Sequence, residues 1–192
     1  MSDFPSRVGN IEGDVSTNGT IKRRSMDLFY YWQKLETNLK NREVGYFGSN
    51  NMKLSEQLER SPGRIWVFKT PKGMKGSIQL VGSLKVCDEP LVAIKTDYPH
   101  LIYYDPFSPE SVIYTDSNTP ERIAQVSGLF QYRFHSAFSA NFQGDAGIQP
   151  LEANVLRGLE TIVAGWSTVQ LLERVKEPEK VYPINPFAQQ SR

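Results

Sequence analysis

The sequence predicts an α+β fold, a small, twisted, mostly antiparallel β-barrel with flanking helices. Three observations lead to this prediction. Residues 63–86 read as two strands joined by a basic, glycine-flanked turn. Short apolar runs at 91–95, 101–105 and 112–114, separated by Pro, Asp and Ser, add further strands around the sheet. Apolar residues at helical spacing dominate two later segments.

The strand at 76–86 shows the clearest alternation in the chain. Apolar and mainly polar side chains take turns, as expected for a half-buried antiparallel strand. One face carries Ile78, Leu80, Leu84 and Val86, and the other carries Gln79, Ser83 and Lys85. Gly82 interrupts the pattern, which predicts a β-bulge or a close approach of another backbone.

The segment before the hairpin predicts two helices and a strand. Ser25 is placed to cap a helix over 26–41, in which four apolar residues form one stripe. These residues are Leu28, Trp32, Leu35 and Leu39. A strand over 43–47, a turn over 48–51 and a short helix over 54–60 follow.

The C-terminal half predicts further helices and a loop. Thr-Pro-Glu at 119–121 is a strong helix start. Pro150 opens the best helical pattern of the chain, which Gly165 ends or bends, and a short continuation covers 169–175. The segment 131–150 is aromatic and has no clean period, and a loop of this length within a compact domain is often functional.

Length and composition indicate one compact domain of ordinary polarity. The chain has 192 residues, a net charge of +1 and one cysteine, so it is no polycation and forms no intramolecular disulfide. We expect a flexible leader over 1–24, a single domain over 25–176 and a proline-containing tail over 177–192. The chain lacks the roughly 18-residue apolar run of a membrane helix and a secretory signal. The expected location is cytoplasmic, without membrane contact, and the oligomeric state is open.

The sequence signatures of several classes of enzyme are absent from this chain. Two histidines and one cysteine practically exclude a zinc site, and no phosphate-binding loop or nucleophile elbow is present. We expect no cofactor. A metal-dependent nuclease would need clustered carboxylates, and the candidates lack a convincing flanking pattern. They are Asp88, Glu89, Asp105 and Asp145.

Aromatic and polar residues gathered at predicted strand ends and loops are the candidate ligand-binding set. Recognition of an unstacked base needs an aromatic plane and groups that bond the base edge. The candidates are Tyr46, Ser49, Asn50, Trp66, Phe68, Tyr103, Asp105, Ser139 and Asn141. Two alternatives remain open: the shared face of Trp66 and Phe68 favours a place in the core over a pocket, and turn geometry by itself selects asparagine.

Basic residues around the hairpin are candidates for contacts with a nucleic-acid backbone. They are Arg64, Lys69, Lys72 and Lys75. A second basic patch covers 22–24. Taken singly, each patch is also explained as solvated surface.

The order of elements over 42–86 resembles the PUA-like superfamily, with the EVE and ASCH domains nearest. The resemblance is carried by REVGYFGSNN, a short helix, the tryptophan-bearing strand SPGRIWVFKTP and the strand GSIQLVGSLKV. It covers about 45 of the 192 residues. It implies a small twisted β-barrel with flanking helices. It also implies binding of RNA or modified DNA, in several members by drawing a base into an aromatic-lined pocket.

Two functions from different classes follow as hypotheses. The first is a non-enzymatic nucleic-acid-binding module that reads a modified or flipped base, in a bacterial defence or nucleic-acid-processing setting. The second is an accessory domain whose apolar loop and C-terminal helix dock onto a larger protein partner, without a nucleic-acid role. A metal-dependent nuclease ranks third.

Overall fold

The computed structural model of the chain describes residues 26–131, 138, 142 and 147–175. These residues form an α+β fold with eight strands in one sheet. The strands are β1 (Asp27–Tyr31), β2 (Tyr46–Ser49), β3 (Arg64–Lys69), β4 (Gln79–Cys87), β5 (His100–Asp105), β6 (Val112–Tyr114), β7 (Ile148–Leu151) and β8 (Thr168–Gln170). The helices in the described ranges are α1 (Leu35–Asn41), α2 (Lys53–Leu58), α3 (Pro120–Gln131), α4 (Ala153–Val163) and α5 (Leu171–Arg174).

The sheet is mixed but mostly antiparallel. Its main path runs β2-β5-β4-β3-β1-β7, and β6 joins β4 to β8. Only the pairing of β1 with β3 is parallel among the described strands, with Leu28 opposite Ile65 and Tyr31 opposite Phe68. Pairing with β3 on one side and β7 on the other places β1 inside the sheet rather than at its edge.

Strand β4 organises the sheet because it has three partners. It pairs with β3 along one side, while on the other side Gly82 and Ser83 pair with β6 and the end of the strand pairs with β5. The register with β3 shifts between Val67 and Phe68, opposite Gly82 and Leu80. This bulge confirms the sequence prediction at Gly82. A side chain there would also collide with the carbonyl oxygen of Val112, so the predicted close approach of a second backbone is present as well.

The bulge reverses the alternation of β4, and this corrects the face assignment made from the sequence. Leu80 packs with Ile78, Trp66 and Phe68, whereas Leu84 packs on the opposite face of the sheet. An extra residue shifts the side-chain period by one position. The residues expected on one face therefore serve two separate cores.

The two faces of the sheet carry two hydrophobic cores. The first core joins α1, α2 and α5 to one face of the sheet and includes Leu28, Leu35, Leu54, Ile65, Leu84 and Leu171. The second core joins α3 and α4 to the other face and includes Phe29, Trp66, Phe68, Val126, Phe130 and Leu159. Alternate residues of β1 and β3 enter alternate cores, as the pleat of a strand requires.

The sheet curls without closing. Its path ends at β2 and at β7, and within the described ranges these two strands have no pairing with each other. The structure therefore shows a half-barrel, where the sequence predicted a closed barrel. The α+β class, the mostly antiparallel sheet and the flanking helices are as predicted.

Several predicted elements are confirmed within one to three residues at their ends. The hairpin of β3 and β4, the strands β2, β5 and β6, and the helices α2 and α3 lie where the sequence places them. The long C-terminal helix is α4, which Gly165 follows with a φ of 83°.

Four predictions of elements are wrong in whole or in part. The short helical continuation over 169–175 is instead the end of strand β8 followed by the one-turn helix α5. Residues 26–41 hold strand β1 and the short helix α1 instead of one helix. Residues 91–95 form only an isolated bridge at Val92 instead of a strand, and the Val92 side chain packs against Gly45, whose φ is 93°. Pro150 lies in β7 and does not open a helix.

The predicted leader over 1–24 and the predicted tail over 177–192 lie outside the described residues. Within the described ranges, no helix is both long enough and apolar enough to cross a membrane.

The close approach of β6 to Gly82 can be tested by substitution. We expect Gly82→Ala to destabilise the protein by roughly 1–3 kcal/mol, because the added methyl group meets a backbone carbonyl that cannot move freely. Gly128→Ala in α3 is the matched control, since nothing lies within 4 Å of its added carbon. That change should stabilise the helix by roughly 0.5–1 kcal/mol. Urea unfolding measures both, and equal stabilities of the two variants would contradict the close approach.

Candidate ligand-binding cavity

A cavity lies on the open side of the half-barrel, between the end of β1 and the edge strand β2. Its volume is about 980 Å³, at the upper end of the range common for small-molecule sites. Three chain segments supply most of its lining: 30–34, 46–50 and 95–98. Single residues complete it, namely Asn38, Glu43, Leu54, Phe142, Gly147 and Ile148.

Aromatic rings form the walls of the cavity. Tyr30 stacks on Phe47 with 4.0 Å between ring centroids and 18° between planes. Trp32 meets the same phenylalanine edge-on at 4.9 Å. Tyr31 stacks on Phe142 at 5.3 Å. Trp32 and Phe47 are themselves only 3% and 4% exposed, so these rings pack against one another and form a rigid support behind the cavity.

A chain of hydrogen bonds fixes the polar side of the cavity. Trp32 Nε1 donates to Asn38 Oδ1 at 2.9 Å, and Asn38 Nδ2 donates to Glu43 Oε2 at 2.6 Å. These bonds set the orientation of the Asn38 amide, because its oxygen and its nitrogen each face a partner of defined type. Asn41 Nδ2 donates to the second carboxylate oxygen of Glu43 at 3.3 Å.

Residues 95–98 border the cavity as an irregular loop held by two contacts with β2. The backbone N–H of Lys95 donates to the Tyr46 hydroxyl at 3.1 Å. The ring of Tyr98 lies directly on Gly48, where an added β-carbon would be 2.5 Å from Cδ2 of the tyrosine. The first contact needs the hydroxyl group of Tyr46, and the second needs a glycine at position 48.

The cavity keeps its tyrosine hydroxyls protonated. Burial raises the pKa of Tyr30 well above its usual range, and the nearby phenol of Tyr98 raises it further. Burial also raises the pKa of Tyr46, although its bond from the Lys95 backbone opposes the shift. At neutral pH these phenols therefore remain donors.

The charged residues of the lining balance one another. Lys34 and Lys95 are basic, and Glu43 and Asp97 are acidic. Such a lining exerts no strong net field on a ligand. Recognition in this cavity must therefore come mainly from stacking and hydrogen bonding.

Three of the predicted ligand-binding residues lie in the cavity lining: Tyr46, Ser49 and Asn50. Ser49 Oγ accepts from the backbone N–H of Asn51 at 2.9 Å and so helps to shape the turn after β2. Asn50 is exposed at the rim.

Trp66 and Phe68 lie in the second core and not in the cavity, which is the alternative that the sequence left open. Their exposed fractions are 1% and 0%. Trp66 Nε1 donates to Asp27 Oδ2 at 2.8 Å, and Phe68 stacks on Phe29 at 4.5 Å. A ligand cannot reach either ring without disrupting the sheet.

Tyr103 and Asp105 lie on β5 and do not line the cavity. Asp105 Oδ1 accepts from the backbone N–H groups of Phe107 and Ser108, at 2.8 and 3.1 Å, and so stabilises the turn after the strand. Ser139 and Asn141 lie outside the described residues, as does Asp145.

The predicted backbone-binding residues fall into two places. Lys72 and Lys75 are exposed on the turn between β3 and β4, and Lys69 at the base of this turn is paired with Glu36 at 3.0 Å. Arg64 begins β3 and so lies about 16 Å from Lys69 along the strand. It contacts Glu110 at 3.5 Å. Only the three lysines form one group.

The hairpin turn adjoins the cavity through Tyr31. The hydroxyl of Tyr31 donates to Thr70 Oγ1 at 2.9 Å, and the backbone N–H of Trp32 donates to the carbonyl oxygen of Phe68 at 2.7 Å. The basic turn therefore leaves the sheet beside the cavity wall.

Comparison with protein-family models, with curated proteins and with solved structures finds no significant match to this chain. The described residues also contain no group of three or more His, Cys, Asp or Glu placed to hold a metal ion. Burial raises the pKa of Cys87 to about 11, as expected for a packed and unreactive thiol.

Sequence reasoning misses the aromatic residues that dominate the cavity, Tyr30, Trp32 and Tyr98. The first two stand in the run FYYW at 29–32, which the apolar stripe over 26–41 places in a helix. Consecutive aromatic residues favour a strand, and this signal points to the correct element. Nothing local marks Tyr98. His100, at the start of β5, is half-buried, and its Nδ1 lies 2.8 Å from Ser55 Oγ.

A smaller, charged pocket of about 210 Å³ lies at the far end of β3, around Asp27 and Arg64. Burial raises the pKa of Asp27 above its ordinary value of 3.8, although the bond from Trp66 and the charge of Arg64 oppose the shift. The folded state therefore binds this proton more tightly than the unfolded state. The contribution of Asp27 to stability is present below pH 3.8 and declines as the pH rises through the folded-state pKa.

Asp27→Asn tests this pH dependence, since the amide oxygen can still accept from Trp66 without carrying a charge. We expect the variant to gain stability relative to the natural chain as the pH rises from about 4 to about 7. Urea unfolding at several pH values measures the difference, with the exposed Asp88→Asn as control. A difference between Asp27→Asn and the natural chain that does not change with pH would contradict the assignment.

Proposed function

We propose that this protein is a non-enzymatic nucleic-acid-binding module that takes an unpaired, flipped or modified base into the cavity between β1 and β2. The observation that carries the proposal is the aromatic lining of that cavity, in which the packed rings of Tyr30, Phe47 and Trp32 are joined by Tyr98, which is 41% exposed. Stacking of a base on an aromatic ring is worth about 1–3 kcal/mol and tolerates different bases.

The position of the basic turn supports the same proposal. A base bound in the cavity leaves its sugar and phosphate at the rim. Tyr31 belongs to the lining and is bonded to Thr70 at the base of the turn. Lys72 and Lys75 follow directly and are exposed, so flanking phosphates are within reach of lysine side chains. Phosphate contacts fix position, and the cavity supplies selectivity.

We further propose that residues 42–86 are related to the PUA-like superfamily. In support, this stretch forms β2, α2, β3 and β4 in the order that the resemblance implies. The half-barrel seen here would then correspond to part of the barrel of that superfamily.

A second candidate function is docking onto a protein partner. It is favoured by exposed apolar side chains close in sequence to the cavity lining: Met52 is 64% exposed and Ile94 is 37% exposed. Strand β2 also pairs with β5 alone among the described strands. A protein that docks through this surface would bind no oligonucleotide.

Reversing the charge of the turn tests the nucleic-acid function. We expect Lys72→Glu with Lys75→Glu to keep the fold and to weaken binding of single-stranded oligonucleotides of any sequence. The slope of log affinity against log salt should become shallower by about 0.7 for each phosphate that the variant no longer neutralises. Fluorescence anisotropy with labelled oligo(dT) and oligo(dA) at several salt concentrations measures this.

The matched control is Arg157→Glu with Arg174→Glu, which makes the same change in net charge on α4 and α5. Both arginines are exposed on helices away from the turn. If the control weakens binding as much as the double lysine variant, the turn does not bind the phosphates. If the natural protein binds no oligonucleotide at low salt, docking onto a protein becomes the better proposal.

A further inference from the structure

Tyr98 offers a ring surface at the mouth of the cavity. Its ring rests on Gly48, which leaves room for it only because it lacks a side chain. The residue is nevertheless 41% exposed, so the side turned away from Gly48 is open. An aromatic ring supported behind and open in front is a platform for stacking a second ring.

Tyr30 offers a hydrogen-bond donor in the same cavity. Its ring is fixed by stacking on Phe47, and its hydroxyl is within electrostatic reach of the hydroxyl of Tyr98. Among the described residues, no group forms a hydrogen bond with the Tyr30 hydroxyl, whereas three neighbouring side chains have partners. Trp32 and Asn38 bond one another, and Tyr31 bonds Thr70.

We propose that Tyr98 is the stacking residue of the cavity and that Tyr30 is its specificity-determining donor, so that the preferred ligand is a planar ring with an exocyclic carbonyl oxygen. This inference rests on the proposed function and narrows it to keto-bearing bases such as thymine and uracil.

The chemistry of a buried phenol gives the preference its direction. A neutral phenol has one hydrogen, and leaving that hydrogen unpaired in a buried site costs more than the net value of the bond. A carbonyl oxygen on the ligand accepts it. An exocyclic amino group at the same place can only donate to the phenol oxygen, and it leaves the phenol hydrogen without an acceptor. A keto base is therefore favoured over an amino base.

The test uses the free nucleosides thymidine and 2′-deoxyadenosine, which carry no phosphate, and oligo(dT) and oligo(dA) as a second set. Quenching of tryptophan fluorescence can report binding, since Trp32 lines the cavity. The variants are Tyr30→Phe, which removes only the hydroxyl, Tyr98→Ala, which removes the platform, and Gly48→Ala, which displaces Tyr98. Tyr103→Phe, outside the cavity, is the control, and thermal unfolding verifies that each variant is folded.

We expect Tyr30→Phe to weaken thymidine binding by about fivefold to tenfold and to leave deoxyadenosine binding unchanged. Tyr98→Ala and Gly48→Ala should weaken both nucleosides by roughly tenfold. Tyr103→Phe should change neither. Equal losses for both nucleosides in Tyr30→Phe would overturn the carbonyl preference.

The outcomes separate this inference from the proposed function. Oligonucleotide binding that is indifferent to Tyr30, Tyr98 and Gly48 variants overturns the inference and leaves the nucleic-acid function standing. Thymidine binding with the expected losses, but no binding of either oligonucleotide, supports the cavity ligand and overturns the nucleic-acid function. No binding of nucleosides or oligonucleotides overturns both.

Discussion

The close contact between Gly82 of β4 and the backbone of β6 is the constraint on which the rest of this fold depends. Strand β4 has three partners, and the second backbone comes so near at Gly82 that no side chain fits. The adjacent bulge shifts the register with β3, and bulges increase local twist and bend the strand. The sheet accordingly curls into a half-barrel and leaves its open side between β2 and β7.

The cavity lies on this open side and is stable because its lining is largely satisfied internally. Stacked rings replace the strand pairing that would have closed the barrel, and Trp32, Asn38 and Glu43 bond one another instead of water or a ligand. Such a lining is ordered before a ligand arrives, which lowers the entropic cost of binding. The balanced charges of Lys34, Lys95, Glu43 and Asp97 leave shape and hydrogen bonding to select the ligand.

The local pattern of the chain is sufficient for elements that depend on neighbouring residues. The hairpin of β3 and β4 follows from alternation and from the glycine-flanked turn, and α3 follows from its Thr-Pro-Glu start. The stripe over 26–41 is misleading because residues four positions apart, such as Leu28 and Trp32, share one face in a strand as well as in a helix. The pairing of β1 with β3 and β7 decides between them, and both partners are distant in sequence.

The sequence by itself determined the α+β class and the hairpin with its interruption at Gly82, and it proposed Tyr46, Ser49 and Asn50, which the structure places in the cavity lining. Tertiary structure alone decided that Trp66 and Phe68 are core residues and that Tyr30, Trp32 and Tyr98 share a cavity. The physical reason is that these two groups of properties have different origins. Alternation, capping and turns arise from neighbouring residues, whereas the choice between core and cavity depends on which distant strand covers a given face. In this protein, the bulge in β4 and the open end of the half-barrel determine which side chains are core and which line the cavity.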